Sequence, residues 1–327
     1  MSSDSGAAVT EFAEMADPYR RELLAHCYRM LGSYQDAEDL VQETLMRAWR
    51  GYDRFDGRSS LRTWLHRIAT NACLTALASA DRRILPSGLG GPTDSEHPDL
   101  SKLDATPWLQ PAPTADLLHE ADDPAAIVAL RDSTRLALIA AYQVLPARQR
   151  AVLLLVDVAA FSPAEVADLL DISVTAVRSL LQRARSTIAS DLPDQDRVVP
   201  SPDLDTEVLR RYLVAFEAGD AKLLADLLRA DVTYEMPPIA RWFQGRASVL
   251  DHHHRRVFAH RRTALLTSAN GYPALAMYAG EPDGSFRAHG IHLIEQHDGA
   301  ITRIVVFLNP ELFPTFGRPI VLPQRPA

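Results

Sequence analysis

Residues 33–77 read SYQDAEDLVQETLMRAWRGYDRFDGRSSLRTWLHRIATNACLTAL. In the first half Ala37, Leu40, Val41, Thr44, Leu45, Ala48 and Trp49 recur at the spacing of one face of an α-helix. Ser33 followed by Asp36 supplies a start, because a hydroxyl and a carboxylate satisfy free N–H groups of the first turn. In the second half Leu61, Trp64, Leu65, Ile68, Ala69, Ala72, Cys73, Ala76 and Leu77 repeat the spacing, with Ser60 as cap. Between them, Gly51–Arg58 forms a polar loop carrying Tyr52, Phe55, Arg54 and Arg58.

The two polar faces differ in sign. The first helix shows Asp36, Glu38, Asp39, Gln42 and Glu43, a poor surface for nucleic acid but a good one for docking protein. The loop and second helix show Arg54, Arg58, Arg62, His66, Arg67 and Asn71. Arginines interleaved with Tyr52, Phe55 and Trp64 suit single-stranded DNA, where bases stack on rings and guanidinium groups neutralise phosphates. On residues alone, two amphipathic helices with solvated outer faces remain an equal alternative.

The run DAEDLVQETLMRAWRGYDRFDGRSSLRTWLHRIATNACL resembles region 2 of the extracytoplasmic-function group of bacterial sigma-70 factors. The resemblance implies that the DAEDLVQE helix docks on the clamp helices of the RNA polymerase β′ subunit, through Asp36, Asp39, Gln42 and Glu43. It also implies that the following loop and helix melt and read the −10 element, through Phe55, Arg58, Ser59, Arg62, Arg67 and Asn71.

Composition fits this reading. A chain of 327 residues with 47% apolar residues is long enough for two or three globular domains. A net charge of −8 argues against a generic nucleic-acid coat, which needs broad positive charge. A factor delivered to DNA by a larger enzyme needs none. Cys27 and Cys73 lie on apolar helix faces and read as free thiols in a reducing cytoplasm. The opening MSSDSGAAVTEF has neither a basic nor an apolar signal segment, and no run is long enough to span a membrane.

In chain order, Asp17-Pro18 starts the first helix, with Leu23, Leu24, Cys27, Met30 and Leu31 inside and Gly32 at its end. His26 beside that stripe reads as an ordinary, partly buried histidine. Residues 81–122, rich in Pro, Gly and acidic residues, read as a linker. The apolar island Pro107–Pro111 is expected to tuck onto a neighbouring domain. In the resembled family the equivalent segment threads toward the polymerase active-site channel.

A second helical block runs over 123–192. Ile127, Leu130, Thr134, Leu138 and Ala141 mark its first helix, and Leu145-Pro146 opens another. Ser162-Pro163, Asp171-Ile172 and Ser173 set out a helix, a tight turn and a longer helix, the helix-turn-helix order. Val174, Val177, Leu181, Ala184 and Ile188 point inward. Thr175, Arg178, Ser179, Gln182, Arg183, Arg185 and Ser186 point outward, donors and cations that suit a major groove. The run LPARQRAVLLLVDVAAFSPAEVADLLDISVTAVRSLLQRARSTI resembles region 4 of the same sigma family. This implies −35 recognition by Thr175, Arg178, Ser179, Gln182 and Arg183. Leu180-Leu181 departs mildly by putting a bulky residue toward the outer face.

Residues 203–327 are of another kind. Two amphipathic helices around Val208–Phe216 and Leu223–Leu228 precede strand-like stretches at Val232–Met236, Thr263–Ser268, Leu275–Tyr278, Arg287–Glu295 and Ile301–Phe307, the last two joined by a turn at Gly299. Helices before a curved antiparallel sheet give an α+β fold. DVTYEMPP, WFQGR and a closing strand into Asn309-Pro310 resemble the SnoaL-like branch of the NTF2-like cone proteins. Sigma factors of the sigma-G type carry such an extension. Some cone proteins are isomerases or cyclases, which makes Asp231, Tyr234, Glu235, His289 and His292 the candidate bases. Alternation puts His289 and His292 on opposite sides of a strand, no Asp–His pair is fixed by spacing, and fold alone does not grant chemistry. Asp251-His252-His253-His254 invites a zinc reading, but neighbours on a helix do not share a face, and with Arg255, Arg256, Arg261 and Arg262 close by the stretch reads as a solvated basic segment.

The chain is therefore expected to be multidomain: region 2 at 10–80, a linker at 81–122, region 4 at 123–192 and a cone domain at 203–327. The leading reading is a cytoplasmic sigma factor that is no enzyme and uses no cofactor or metal. Its partners are core RNA polymerase (β′ and β subunits) and promoter DNA, with room for a small-molecule ligand in the cone pocket. A ligand-responsive helix-turn-helix factor would leave the helix at 36–50 without a purpose. A cone enzyme with a DNA-binding appendage would leave both helical domains unexplained.

Overall fold

The computed structural model describes residues 11–93, 98–118, 133–191 and 206–324. Two compact units divide the chain: one holds residues up to Arg83 and Ala115–Arg197, the other Ile84–Thr114 and Val198–Ala327.

In the first unit, α1 (Arg20–Leu31), α2 (Tyr34–Gly51) and α3 (Leu61–Leu77) form where the apolar spacing places them. Helix α1 stops at Gly32, whose φ of 69° a residue without Cβ adopts freely. Ser33 Oγ accepts from the Asp36 N–H at 3.2 Å and Ser60 Oγ from the Thr63 N–H at 3.1 Å, so both cap positions hold. Leu23, Cys27, Met30, Val41, Leu65 and Cys73 are buried between the three helices. Burial of each large apolar side chain among them contributes roughly 2 kcal/mol.

The same unit contains α4 (Leu136–Val144), α5 (Ala147–Leu153), α6 (Pro163–Leu170) and α7 (Val174–Asp191). Ile127 and Leu130 lie outside the described residues. Helix α4 starts only after Arg135, whose backbone is extended; Thr134 and Ala141 of the expected stripe are buried. Leu136 and Ile139 are buried, while Leu138 is half-buried. A reciprocal capping box opens α6: Ser162 Oγ accepts from the Glu165 N–H, and Glu165 Oε2 accepts from the Ser162 N–H at 2.8 Å. Asp171 turns the chain at φ 52°, and Ser173 Oγ caps α7 by accepting from the Ala176 N–H at 3.1 Å.

Two buried arginines tie these helices to α1. Arg150 donates to the Met30 carbonyl, to Gln143 Oε1 at 2.6 Å and to the carbonyls of Gln143 and Leu145 at 3.1 Å. Arg29 donates to Ser133 Oγ at 2.8 Å. Burial pulls both guanidinium pKa values down to about 10, so both groups stay charged at neutral pH. Carbonyl dipoles therefore stabilise these charges.

The second unit begins its helical part with α8 (Thr206–Ala218) and α9 (Ala221–Leu227), followed by β1 (Leu228–Glu235) and β2 (Trp242–Gln244). Helix α10 (Arg246–His252) runs on into a π-helical turn, His253–Val257. Strands β3 (Arg262–Ala269), β4 (Tyr272–Gly280), β5 (Phe286–His297), β6 (Ala300–Phe307) and β7 (Val321–Leu322) complete the sheet. Its order is β2-β1-β6-β5-β4-β3, with β7 on β5. The sheet is mixed, because β1 runs parallel to β6 while the other pairs are antiparallel. A purely antiparallel reading missed this because α10 and the strands β3 to β5 intervene between β1 and β6. Tyr212, Phe216, Leu224, Val232, Leu275 and Ile304 belong to the core that the helices and sheet share.

Residues 84–114 belong to this unit. Leu85, Leu109 and Ala112 are buried. The Leu103 N–H donates to the Pro238 carbonyl at 2.9 Å, and Trp242 Nε1 donates to the Gly90 carbonyl at 2.8 Å. The Asn270 N–H donates to the Ala112 carbonyl at 3.0 Å, and Ser87 donates its N–H to Glu235 Oε2 at 3.0 Å. The described parts of the Pro- and Gly-rich stretch, 84–93 and 98–114, thus form a strap over the sheet domain.

Candidate nucleic-acid interface and C-terminal pocket

On α2, Asp39 and Gln42 are exposed. Asp36 pairs with Arg83 at 2.5 Å and Glu43 with Arg47 at 2.6 Å, one turn away. The acidic edge is therefore solvent-facing, though only Asp39 and Gln42 of the four candidates are fully open.

The loop before α3 carries an aromatic stack. Phe55 lies 4.9 Å from Trp64 with rings tilted by 29°, and Tyr52 follows at 6.2 Å from Phe55. Phe55 is half-buried, with Ser59, Arg67 and Asn71 exposed around it. Arg58 is also exposed and pairs with Asp56 at 2.6 Å. Arg62 differs. Its guanidinium grips both carboxylate oxygens of Glu22, donates to the Ala159 carbonyl at 2.7 Å and sits 4.3 Å above the Phe161 ring. His66 is fully buried, its ring 5.1 Å from Phe161 and 5.4 Å from His26. The outward placement expected of His66 is corrected, and Arg62 is only partly open, because that side of α3 packs on α6 and the turn before it. His26 is buried too, its Nε2 3.0 Å from Thr70 Oγ1.

On α7, Thr175, Arg178, Ser179, Gln182, Arg183, Arg185 and Ser186 are all exposed. Val177, Leu181 and Ala184 are buried beneath them, and Leu180 is half-buried at the edge. Arg185 pairs with Asp157 at 2.6 Å, fastening α7 to the segment after α5.

The second unit holds a partly open cavity of about 130 Å³. Phe216, Met277 and Val306 form an apolar wall; His252, His289, His292, Tyr234, Arg256 and Arg262 supply its polar groups. Alternation should separate His289 from His292, yet both line the cavity. A β-bulge between Met277 and Tyr278 leaves His289 as the extra residue on β5, which shifts it onto the face of His292. Gly290 beside it permits the close approach, since a Cβ there would meet the Phe307 carbonyl oxygen at 2.8 Å. The solvated reading of 251–254 holds for Asp251 and His254, which are exposed, and is corrected for His252 and His253. His252 stacks on Phe243 at 4.5 Å and His253 is fully buried, because α10 faces the core on that side.

Burial, followed by the positive Arg256, lowers His252 to about 4. Burial, followed by Arg262, lowers His289 to about 4, and His292 is held well below its ordinary value by burial and His289. These imidazoles are therefore neutral at pH 7. His292 Nδ1 lies 3.1 Å from the Tyr212 hydroxyl. Of the other candidate bases, Asp231 is exposed and paired with Arg229. Glu235 is buried and paired with Arg303 at 2.7 Å. Neither carboxylate lines the cavity. Arg256 and Arg262 were legible only as members of a basic run. Among the described residues, no group of three or more His, Cys, Asp or Glu could hold a metal. No helix among them is long and apolar enough to cross a membrane.

Comparison with known proteins bears on all three parts. The chain matches Sigma-70 region 2 over residues 15–83, Sigma-70 region 4 over 135–188 and the SnoaL-like domain over 209–304. It is 47% identical over 318 residues to the ECF RNA polymerase sigma factor SigG of Mycobacterium tuberculosis, covering 94% of this chain and 84% of that protein. The ECF RNA polymerase sigma factor SigJ of the same organism is 30% identical over 324 residues, 93% of each chain. The crystal structure of SigJ superimposes with a TM-score of 0.56 at 27% identity, over 94% of this chain and 99% of that one. The two helical regions, their order and the sheet domain behind them converge on one conclusion: the chain belongs to the extracytoplasmic-function (ECF) RNA polymerase sigma factors and carries a SnoaL-like domain after region 4.

Proposed function

We propose that this sigma factor docks on core RNA polymerase, at the β′ and β subunits, through the acidic edge of α2 with Asp36, Asp39, Gln42 and Glu43. The Phe55 loop and α3 then hold the melted −10 strand, and the outer face of α7 reads the −35 duplex in the cytoplasm. The observation that carries this reading is the exposed row on α7, donors and cations above a buried apolar seam. Arg178→Ala and Gln182→Ala each weaken −35 duplex recognition by ~1–3 kcal/mol. Phe55→Ala instead lowers run-off transcription from duplex templates, by loss of a stacking contact of ~1–3 kcal/mol. Wild-type transcription by Phe55→Ala from both duplex and pre-melted templates would remove the single-strand role.

The C-terminal domain regulates in cis and does not catalyse. Support comes from residues 84–114, which connect regions 2 and 4 yet are hydrogen-bonded to the sheet domain. The domain thereby governs the connector's freedom, and a ligand in its cavity shifts activity only by its differential affinity for the bound and released states. Truncation near residue 192 removes that hold and changes the transcription rate. A truncated chain indistinguishable from the full one with core polymerase would contradict regulation in cis.

A further inference from the structure

We propose that the cavity of the SnoaL-like domain binds a small organic monocarboxylate with a compact apolar body, held through the guanidinium of Arg262. The proposal rests on taking that cavity as a ligand site and goes on to name the ligand's chemistry. Arg262 Nε and Nη1 are buried without a hydrogen-bond acceptor. Buried N–H donors of a cation left without an acceptor are costly, and a ligand oxygen is the simplest relief. Nothing on the cavity wall neutralises the charge. The other polar lining groups are the exposed Arg256, the imidazoles of His252, His289 and His292, and the Tyr234 phenol. Burial lowers all three imidazoles and raises the phenol, so at neutral pH these four are uncharged. The lining therefore carries two positive charges and no negative one.

The apolar part of the lining sets the rest of the ligand. Phe216, Met277 and Val306 present apolar surface. A volume of about 130 Å³ is close to that of an apolar protein cavity that accepts one benzene ring, about 150 Å³. An inorganic anion would leave this wall facing nothing, and a neutral aromatic would leave the guanidinium unmatched. A carboxylate matches the planar fork of Arg, and one ring or a short branched chain fills the remainder.

Calorimetric titration of the full-length protein with benzoate at neutral pH tests this. Expected is saturable one-to-one binding, with benzyl alcohol, of the same size but uncharged, at least about tenfold weaker. Arg262→Gln weakens benzoate at least about tenfold, Arg262→Lys recovers part of the loss, and inorganic phosphate does not displace benzoate. No saturable binding, equal affinity for benzyl alcohol, displacement by phosphate, or full affinity in a folded Arg262→Gln protein would each overturn the proposal. If Arg262→Gln does not fold, the benzoate and benzyl alcohol comparison on the unaltered protein decides alone. Failure here leaves the truncation result untouched, so the ligand class and regulation in cis fail separately.

Discussion

Acidification from pH 7 to pH 5 lowers the stability of the SnoaL-like unit by on the order of 5 kcal/mol, and its thermal transition by about 20 °C. The cause is His252, His253, His289 and His292. Burial is the leading influence on each, bringing His252 and His289 to about 4 and His253 to about 3, with His292 well below its usual value. Above pH ~6.5 these residues are neutral in both folded and unfolded chains and contribute no pH dependence. As the pH falls through ~6.5 the unfolded chain takes up protons that the folded chain refuses, so stability is lost. The loss continues to about pH 4, where the folded form of His252 and His289 also protonates. His252 and His253 each account for roughly 1.5–2 kcal/mol at pH 5, the half-buried His289 for less, and His292 adds in the same direction. Calorimetry of the full chain checks this. A transition for this unit that moves by less than about 3 °C between the two pH values would contradict the neutral, buried assignment.

The combined substitution Asp39→Arg and Glu43→Arg abolishes co-purification with core RNA polymerase while leaving the fold intact. Asp39 is exposed, and Glu43 gives up only an exposed pair with Arg47 on the same helix. Surface changes of this kind alter stability by about 0.5 kcal/mol or less, and exposed pairs contribute little. Reversed charge facing a complementary surface instead costs several kcal/mol and slows encounter. Circular dichroism and melting like the unaltered protein, together with loss of the complex on gel filtration, are the expected results. Retention of the complex at the unaltered level would remove α2 as the docking helix.

The helices of regions 2 and 4 were legible because each carries its own signal. Ser33, Ser60, Ser162 and Ser173 cap where a polar residue precedes an apolar repeat, and the buried rows follow the 3.6-residue period. What one helix buries against a distant partner was not legible. Arg62 and His66 lie on a side of α3 that looks polar in sequence, and only Glu22, Ala159 and Phe161 turn it inward. The strands were legible by composition, but the alternation rule failed at His289, where one bulged residue reverses the face. The strap at 84–114 gave the same difficulty in reverse. Pro and Gly announced the absence of helix, while the buried Leu85, Leu109 and Ala112 lie too far apart to show a period.

In the proposed role, Arg62 reaches a displaced strand only if the side of α3 that carries it parts from α6 and the turn before it. Arg62 is engaged by Glu22, Ala159 and Phe161, whereas the α7 row is already open. Distance measurement between labels on Thr75→Cys and Ser186→Cys tests this directly, since both sites are exposed and the native Cys27 and Cys73 are buried. The free chain should give a single short distance distribution that moves to longer distances when core RNA polymerase binds. The same distribution in the free and polymerase-bound states would contradict the claim.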